Sequence, residues 1–349
     1  MGDHVAEQML AMAEFFRQRN DVKKALKCAL GAFKLAVSDQ MKLQIVLQTG
    51  KLYYHHTLNI DEAQKYFEVS YRELVNRAAD TSLRDRRLET LCLLCESLIR
   101  LRKTEQVVGT IKAELPEARH NPAVYSRLVF LFTEAAMIER QSELAINMLD
   151  QFINSCNDTI TRTYALITKI LVTAELENRI VPQDVLAAGA AIKAIPDTHP
   201  NYNNVQAFFM TTQLVYYMSN GMVKTGKQVL RVLQSMMPKG NPPDGMRWAD
   251  SSYITAVTCL LTQTMSVQHC SYERAHKYYG YAVKHIHEYN TKVQTSCKPL
   301  DACVAVAMRR LQLALEENMA QSNIIAARID TAMDNNTNNE SENGQVNGI

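Results

Sequence analysis

Residues 46–70 read VLQTGKLYYHHTLNIDEAQKYFEVS. Gly50 and Tyr53 stand three apart. Ala63 is followed by Phe67 four residues on and by Ser70 three further on. Offsets of three and four keep side chains on one face of a helix. Small residues on that face let a second helix approach closely, and the bulky residue fills the gap between the two. Asn59, with Glu62 three residues later, has the spacing of a capping box with Asn in place of Ser or Thr. The stretch therefore predicts one helix ending near residue 57 and another beginning at residue 60, packed as a hairpin.

The second-helix pattern returns along the chain. It is clear at Ala275, Tyr279 and Ala282. It is weaker at Ala25, Ala29, Ala32, at Ala145, Leu149, Phe152, and at Thr225, Val229, Val232. A second echo lies near the ends of first helices. Phe15-Phe16 precedes RQRN, Tyr53-Tyr54 precedes HHTLN, and Tyr216-Tyr217 precedes MSNG. Neighbours on a helix diverge by ~100°, so one ring of each pair can pack in the seam while the other faces a different surface. The plainer reading puts both rings in the core.

Helical periodicity continues on both sides of this stretch. It predicts helices at 4–18, 21–37, 39–57, 60–78, 82–101, 103–115, 122–139, 141–156, 158–176, 182–193, 199–219, 221–237, 248–268, 271–290 and 299–329, with every proline at or between boundaries. The 349 residues hold only 12 Gly and 9 Pro, and the first proline is Pro116. A sandwich or barrel needs a turn roughly every 8–12 residues, and a βα fold needs β-rich runs between helices. Neither pattern is present. Asn121-Pro122 and Lys298-Pro299 read as helix starts, and PKGNPPDG at 238–245 as a loop. Similar helices joined by short turns at repeats of about 37–50 residues describe the tetratricopeptide pattern in degenerate form. The expected fold is all-α, a right-handed helical superhelix (α-solenoid) in which stacking buries faces that no hairpin buries alone. Residues 1–329 are expected to form this array, and the polar stretch 330–349 a disordered tail.

With 47% hydrophobic and 21% charged residues the composition is that of an ordinary globular chain. The net charge is +2. The tail carries Asp330, Asp334, Glu340 and Glu342 and neither Lys nor Arg, so the body is somewhat more basic. That surplus reads as dispersed, and no sequence-specific DNA binding is expected from it. The eight Cys sit mostly in apolar helical stretches, as buried hydrophobes do in a reducing compartment. No signal-peptide pattern opens the chain, and no apolar run reaches ~18 residues. An intracellular, soluble protein is expected.

Motifs for chemistry fail on context. GMVKTGKQ, residues 221–228, matches G-x4-G-K, but a helix precedes it and Gln228 stands where a phosphate loop needs Ser or Thr. Gly221 reads instead as a helix-ending glycine. Cys92 and Cys95 form a single CxxC inside an apolar face, and zinc needs four ligands. His285 and His287 diverge by ~200° on one helix. No catalytic residue, cofactor or metal is expected, and the chain is not read as an enzyme.

At LQTGKLYYHHTLNIDEAQKYFE the likeness becomes more specific than a generic repeat. This string resembles the second repeat of the Mau family of chromatid cohesion factors. NNVQAFFMTTQLVYYMSNGMVKTGKQVLRVLQ (203–234) and YERAHKYYGYAVKHI (272–286), with the Trp248 segment before it, resemble the family in the same order. Members are considerably longer than this chain. The resemblance implies a non-enzymatic scaffold of the cohesin-loading complex. Its superhelix would wrap the N-terminal segment of a large Nipped-B-type HEAT-repeat subunit, form a heterodimer with it, and reach cohesin and chromatin through it. It also implies a nuclear, chromatin-associated location, with the cytoplasm as a second compartment, and a developmental role. The alternative is another tetratricopeptide adaptor, a co-chaperone or a scaffold of a multisubunit complex. Independently of the family, the helix argument nominates Tyr53, Tyr54, His55, Phe208, Phe209, Tyr216 and Tyr217 as a partner groove, because tyrosine offers contact area with a polar tip.

Overall fold

The computed structural model describes residues 2–57, 59–177, 180–236, 250–295 and 302–326. The expected starts at Lys298-Pro299, the loop at 238–245, Trp248 and the tail from 330 lie outside them. Among the described residues there are fifteen α-helices and no strand. They alternate as first and second members of hairpins. The pairs are α1 (Gly2–Gln18) with α2 (Val22–Leu35), α3 (Asp39–His56) with α4 (Ile60–Asn76), and α5 (Arg84–Arg100) with α6 (Thr104–Ala118). They continue with α7 (Pro122–Ile138) and α8 (Ser142–Ser155), α9 (Thr159–Glu177) and α10 (Pro182–Lys193), and α11 (Tyr202–Ser219) and α12 (Val223–Ser235). The last are α13 (Ser251–Gln268) with α14 (Tyr272–Thr295), and then α15 (Ala302–Ile325). The chain divides into two compact units, one built mainly from residues up to Phe152 and the other mainly from Ile153 onward.

In the first unit α2, α4 and α6 each pack on the first helix of their own hairpin and on that of the next, and α5 also packs on α7. The hairpin read from residues 46–70 is present as α3 and α4. Ala63, Phe67 and Ser70 are fully buried. A Cβ placed on Gly50 would stand 2.8 Å from Phe67 Cε1 and 3.1 Å from Tyr66 Cβ. The Gly50 and Ala63/Phe67 spacings are thus two sides of one contact. Asn59 caps α4, its side-chain oxygen accepting from the Glu62 N–H at 3.2 Å. The reciprocal half of the capping box is absent. Glu62 turns to Lys65 Nζ at 2.6 Å, and the Asn59 N–H donates to Thr57 Oγ1 at 3.1 Å.

The second unit repeats the scheme. α9, α10 and α11 pack together, as do α11, α12 and α13. α13, α14 and α15 close over Ala256, Ala282, Ile286, Met308, Leu311 and Leu315. Here the repeat pattern in α12 needs correction by one residue. Val232 is 46% exposed, and the buried face is Gly226, Leu230 and Leu233. Glycine takes the small position, where a Cβ would meet Leu214 Cδ1 and Tyr217 Cβ at 3.6 Å, an ordinary packing distance. A second correction concerns Pro116, which lies inside α6 rather than at a boundary. It sits in the last turn, where it costs one ladder bond near an end that already has unpaired carbonyls.

Five turns from a first to a second helix share one backbone geometry. Asn20, Arg102, Arg140, Gly221 and Cys270 have φ between +54° and +67°. In each, the N–H of the following residue donates to a carbonyl five residues back, as Gln141 does to Ala136 at 2.8 Å and Met222 to Tyr217 at 2.8 Å. This is the Schellman clasp, in which glycine is the least strained occupant. Gly221 of the G-x4-G-K string is one of these clasps, and Gly226 belongs to the α12 core. A left-handed residue other than glycine costs about 1–2 kcal/mol. Arg140 is exposed, and its backbone already makes the clasp. Arg140→Gly should therefore raise stability by about 0.5–1 kcal/mol, the relieved strain less the added freedom of the unfolded chain. Urea unfolding measures it, and no rise in the midpoint would count against the strain.

Candidate partner-binding site

The nominated residues fall on two helices in different units, so each set is described by itself. On α3, Tyr53 and Tyr54 diverge as neighbours on a helix must. Tyr53 is half-buried and stacks on Tyr66 with ring centroids 5.6 Å apart and an interplanar angle of 16°. Tyr54 is 1% exposed. His55 is half-buried and meets the Tyr54 ring edge-on at 4.9 Å. On α11, Phe208 and Phe209 are buried, Phe208 beside the Tyr164 ring at 6.1 Å. Tyr216 and Tyr217 are half-buried with centroids 5.4 Å apart. Tyr54, Phe208 and Phe209 therefore cannot line an open groove as expected. They fill the seams between helices, where a large ring buries most area. Tyr53, His55, Tyr216 and Tyr217 keep accessible surface.

What holds the α3 set in place is a polar rung that runs across three successive first helices. The Tyr54 hydroxyl of α3 donates to Glu96 Oε2 of α5 at 2.8 Å. Arg127 of α7 donates to Glu96 Oε1 through Nε at 3.0 Å and Nη2 at 2.7 Å. The Arg100 guanidinium, one turn beyond Glu96, lies over the Tyr54 ring at 4.0 Å. The Glu96 side chain is 2% exposed, and a carboxylate so far from water is costly unless donors such as these replace it. Next to the rung, burial and the Arg17 charge push the His56 imidazole below the ordinary value of 6.5, against the opposing pull of Glu14. That favours the neutral ring at physiological pH.

A second set of polar links ties second helices to α5. Tyr71 of α4 donates to Glu114 Oε1 of α6 at 2.9 Å, and Arg87 of α5 lies 3.1 Å from Glu114 Oε2. Burial, followed by the Glu114 hydrogen bond, drives the Tyr71 phenol well above its usual range. In the second unit an uncharged rung occupies the place of the first. The Tyr164 hydroxyl of α9 donates to Asn204 Oδ1 of α11, and Asn204 Nδ2 donates to Ser251 Oγ of α13 at 2.9 Å.

These rungs are absent from the sequence reading. One signal could have pointed to them. Glu96 is the one carboxylate in the apolar run LCLLCESL, residues 91–98, and a buried acid must find donors. Cys92 and Cys95 of the same run are fully buried, and burial pushes the Cys95 thiol up. Among the described residues, no group of three or more His, Cys, Asp or Glu could hold a metal, and no helix is long and apolar enough to cross a membrane. The arrangement is one of rigid helix faces with tyrosine, histidine and arginine at their accessible edges.

Comparisons with known proteins place this architecture. The family model described as cohesin loading factor matches residues 9–345. Maternal uncoordinated protein 2 of Caenorhabditis elegans is 28% identical over 337 residues, covering 93% of this chain and 56% of that protein. The MAU2 chromatid cohesion factor homolog of Drosophila mojavensis is 23% identical over 297 residues, covering 77% and 46%. Among solved structures, Scc4 in complex with Scc2n superposes with a TM-score of 0.59 at 11% identity, over 92% of this chain and 60% of Scc4. A tetratricopeptide repeat protein from Parabacteroides merdae gives 0.57 at 12% identity, over 89% of this chain and 99% of its own. The fold is thus all-α and tetratricopeptide-like. The chain spans about half the length of the relatives it matches.

Proposed function

This chain belongs to the cohesin loading factor family, and from that premise we propose that it is a non-enzymatic scaffold subunit of a cohesin loader. It binds the N-terminal segment of a large Nipped-B-type HEAT-repeat subunit and supports loading of cohesin onto chromatin for sister chromatid cohesion. It works in the nucleus, on chromatin. The observation that carries this reading is the family match over residues 9–345. The likeness to Scc4, which was solved in complex with Scc2n, supports it. The mechanism is preorganisation. An extended segment loses backbone entropy on binding, and a surface whose tyrosines and arginines are already fixed adds little to that cost. In the first unit Arg127, whose side chain is 22% exposed, is fixed through Glu96.

The test is affinity purification of the full chain from dividing cells with identification of co-purifying proteins, followed by pull-down with truncations of the large subunit. One very large HEAT-repeat partner is expected, lost when its N-terminal segment is removed. Recovery without such a partner, together with normal sister cohesion after depletion of the chain, would overturn the proposal.

A further inference from the structure

The basic surplus of the body is not evenly spread. α12 carries Lys224, Lys227 and Arg231 and no acid. α13 has no charged residue. α14 carries Arg274, Lys277 and Lys284 among its cations, with Glu273 and Glu288 as its acids. These helices enclose a pocket of about 80 Å³ lined by Lys227, Arg231, His269, Ser271 and Arg274, with Leu230, Thr262, Met265 and Ser266 behind them. No carboxylate lines it. Among the described residues, none of Lys227, Arg231 or Arg274 forms an ion pair. The volume exceeds the ~10–15 Å³ that one water needs, and it admits an oxyanion. The hydroxyls of Thr262 and Ser266 already donate to backbone carbonyls, so the cations are the free donors.

The surface does not end at the pocket. Arg274, Lys277, Tyr281 and Lys284 lie on the outer side of α14 with Glu288 among them, turned away from the buried Ala275, Ala282 and Ile286, and Tyr278 sits at the edge between the two sides. Tyr281 is 53% exposed and meets the half-buried Tyr278 edge-on at 5.9 Å. A cation stands beside each ring, Arg274 at 5.7 Å from the Tyr278 centroid and Lys277 at 5.8 Å from that of Tyr281. Arg274 both lines the pocket and stands beside Tyr278, so a basic pocket is joined to accessible aromatic rings interleaved with cations. Such a surface suits a single-stranded nucleic acid, with phosphate in the pocket and bases on the rings.

We propose that α12–α14 form a binding site for single-stranded nucleic acid without sequence preference, with Lys227, Arg231 and Arg274 taking backbone phosphate and Tyr278 and Tyr281 stacking on bases. A phosphopeptide could fill the pocket but would have no use for the two rings.

The probe is a fluorescein-labelled 12-nucleotide oligo-dT, titrated with the full chain by anisotropy across a salt series. Binding stronger than to a 12-base-pair duplex is expected, with log Kd against log salt changing by roughly 2 for three phosphate contacts. Lys227→Glu with Arg274→Glu should weaken binding at least about tenfold and reduce that slope by ~1.4. Tyr281→Ala should weaken binding about 5- to 100-fold with the slope unchanged, and Tyr281→Phe should leave both unchanged. No binding at low salt, equal affinity for duplex, or displacement of the oligonucleotide by an equimolar phosphoserine peptide would each overturn the proposal. These three comparisons use the unaltered chain and do not depend on how any variant folds.

Discussion

Arg127→Met should destabilise the first unit by about 3–5 kcal/mol, the cost of stripping the partner from a buried charge. The reasoning runs through Glu96. Its side chain is 2% exposed, and two of its donors are the Nε and Nη2 of Arg127. Methionine keeps the length and apolar stem of arginine but offers the carboxylate nothing. The Tyr54 hydroxyl remains on Oε2 and limits the damage. The double variant Arg127→Met with Glu96→Leu should recover most of the loss, because an apolar replacement of a buried ion pair is often neutral or better. Guanidinium unfolding of the four members of this cycle is the measurement. A single variant that loses under ~1 kcal/mol would mean that water already reaches the carboxylate.

Gly50→Ala should cost about 1–3 kcal/mol, although alanine is the better helix former by roughly 1 kcal/mol. The added methyl would stand 2.8 Å from Phe67 Cε1 and 3.0 Å from Cδ1. Phe67 is fully buried and packs edge-on against the Tyr54 ring with centroids 5.8 Å apart, so the ring has little room to retreat. The two effects oppose each other, and the clash is the larger. Shortening the opposing ring gives the check. In the background of Phe67→Leu, itself destabilising, the same Gly50→Ala change should become neutral or favourable. Equal losses in both backgrounds would show that the contact is softer than its geometry.

These two sites mark what could be read from the sequence and what could not. The Gly50 contact was legible because both partners lie within one hairpin at helical spacing. Most helix bounds were legible for the same reason, since apolar periodicity is a local signal. The Arg127 contact was not. Tyr54 and Glu96 are 42 residues apart and Glu96 and Arg127 are 31 apart, and their meeting depends on the register between like helices of successive hairpins. The aromatic pairs failed in a narrower way. Spacing said that the two rings of a pair diverge, but not which one the neighbouring hairpin covers. At Tyr53-Tyr54 the second ring is inside, while at Phe208-Phe209 both are. In α12 the β-branched Thr225, Val229 and Val232 matched the template, but the helix turns Gly226 inward instead. A template built on alanine does not say which of two adjacent positions, Thr225 or Gly226, the neighbouring helices cover.

The rung through Tyr54, Glu96 and Arg127 also bears on how the first unit comes apart. In a solenoid whose hairpins touch only their neighbours, unfolding proceeds like unzipping, each step paying for one interface. A buried charge shared by α3, α5 and α7 couples three hairpins beyond their nearest-neighbour interfaces. Peeling away the α7 hairpin takes both Arg127 hydrogen bonds from Glu96, and peeling away the α3 hairpin takes that of Tyr54, so each step costs more than its interface alone and the three favour opening as one cooperative block. The hairpin of α1 and α2 lies outside that block, tied to the start of α3 at the surface by Asp3 accepting from the Val37 and Ser38 N–H groups. It can fray by itself while the rest of the unit keeps its register.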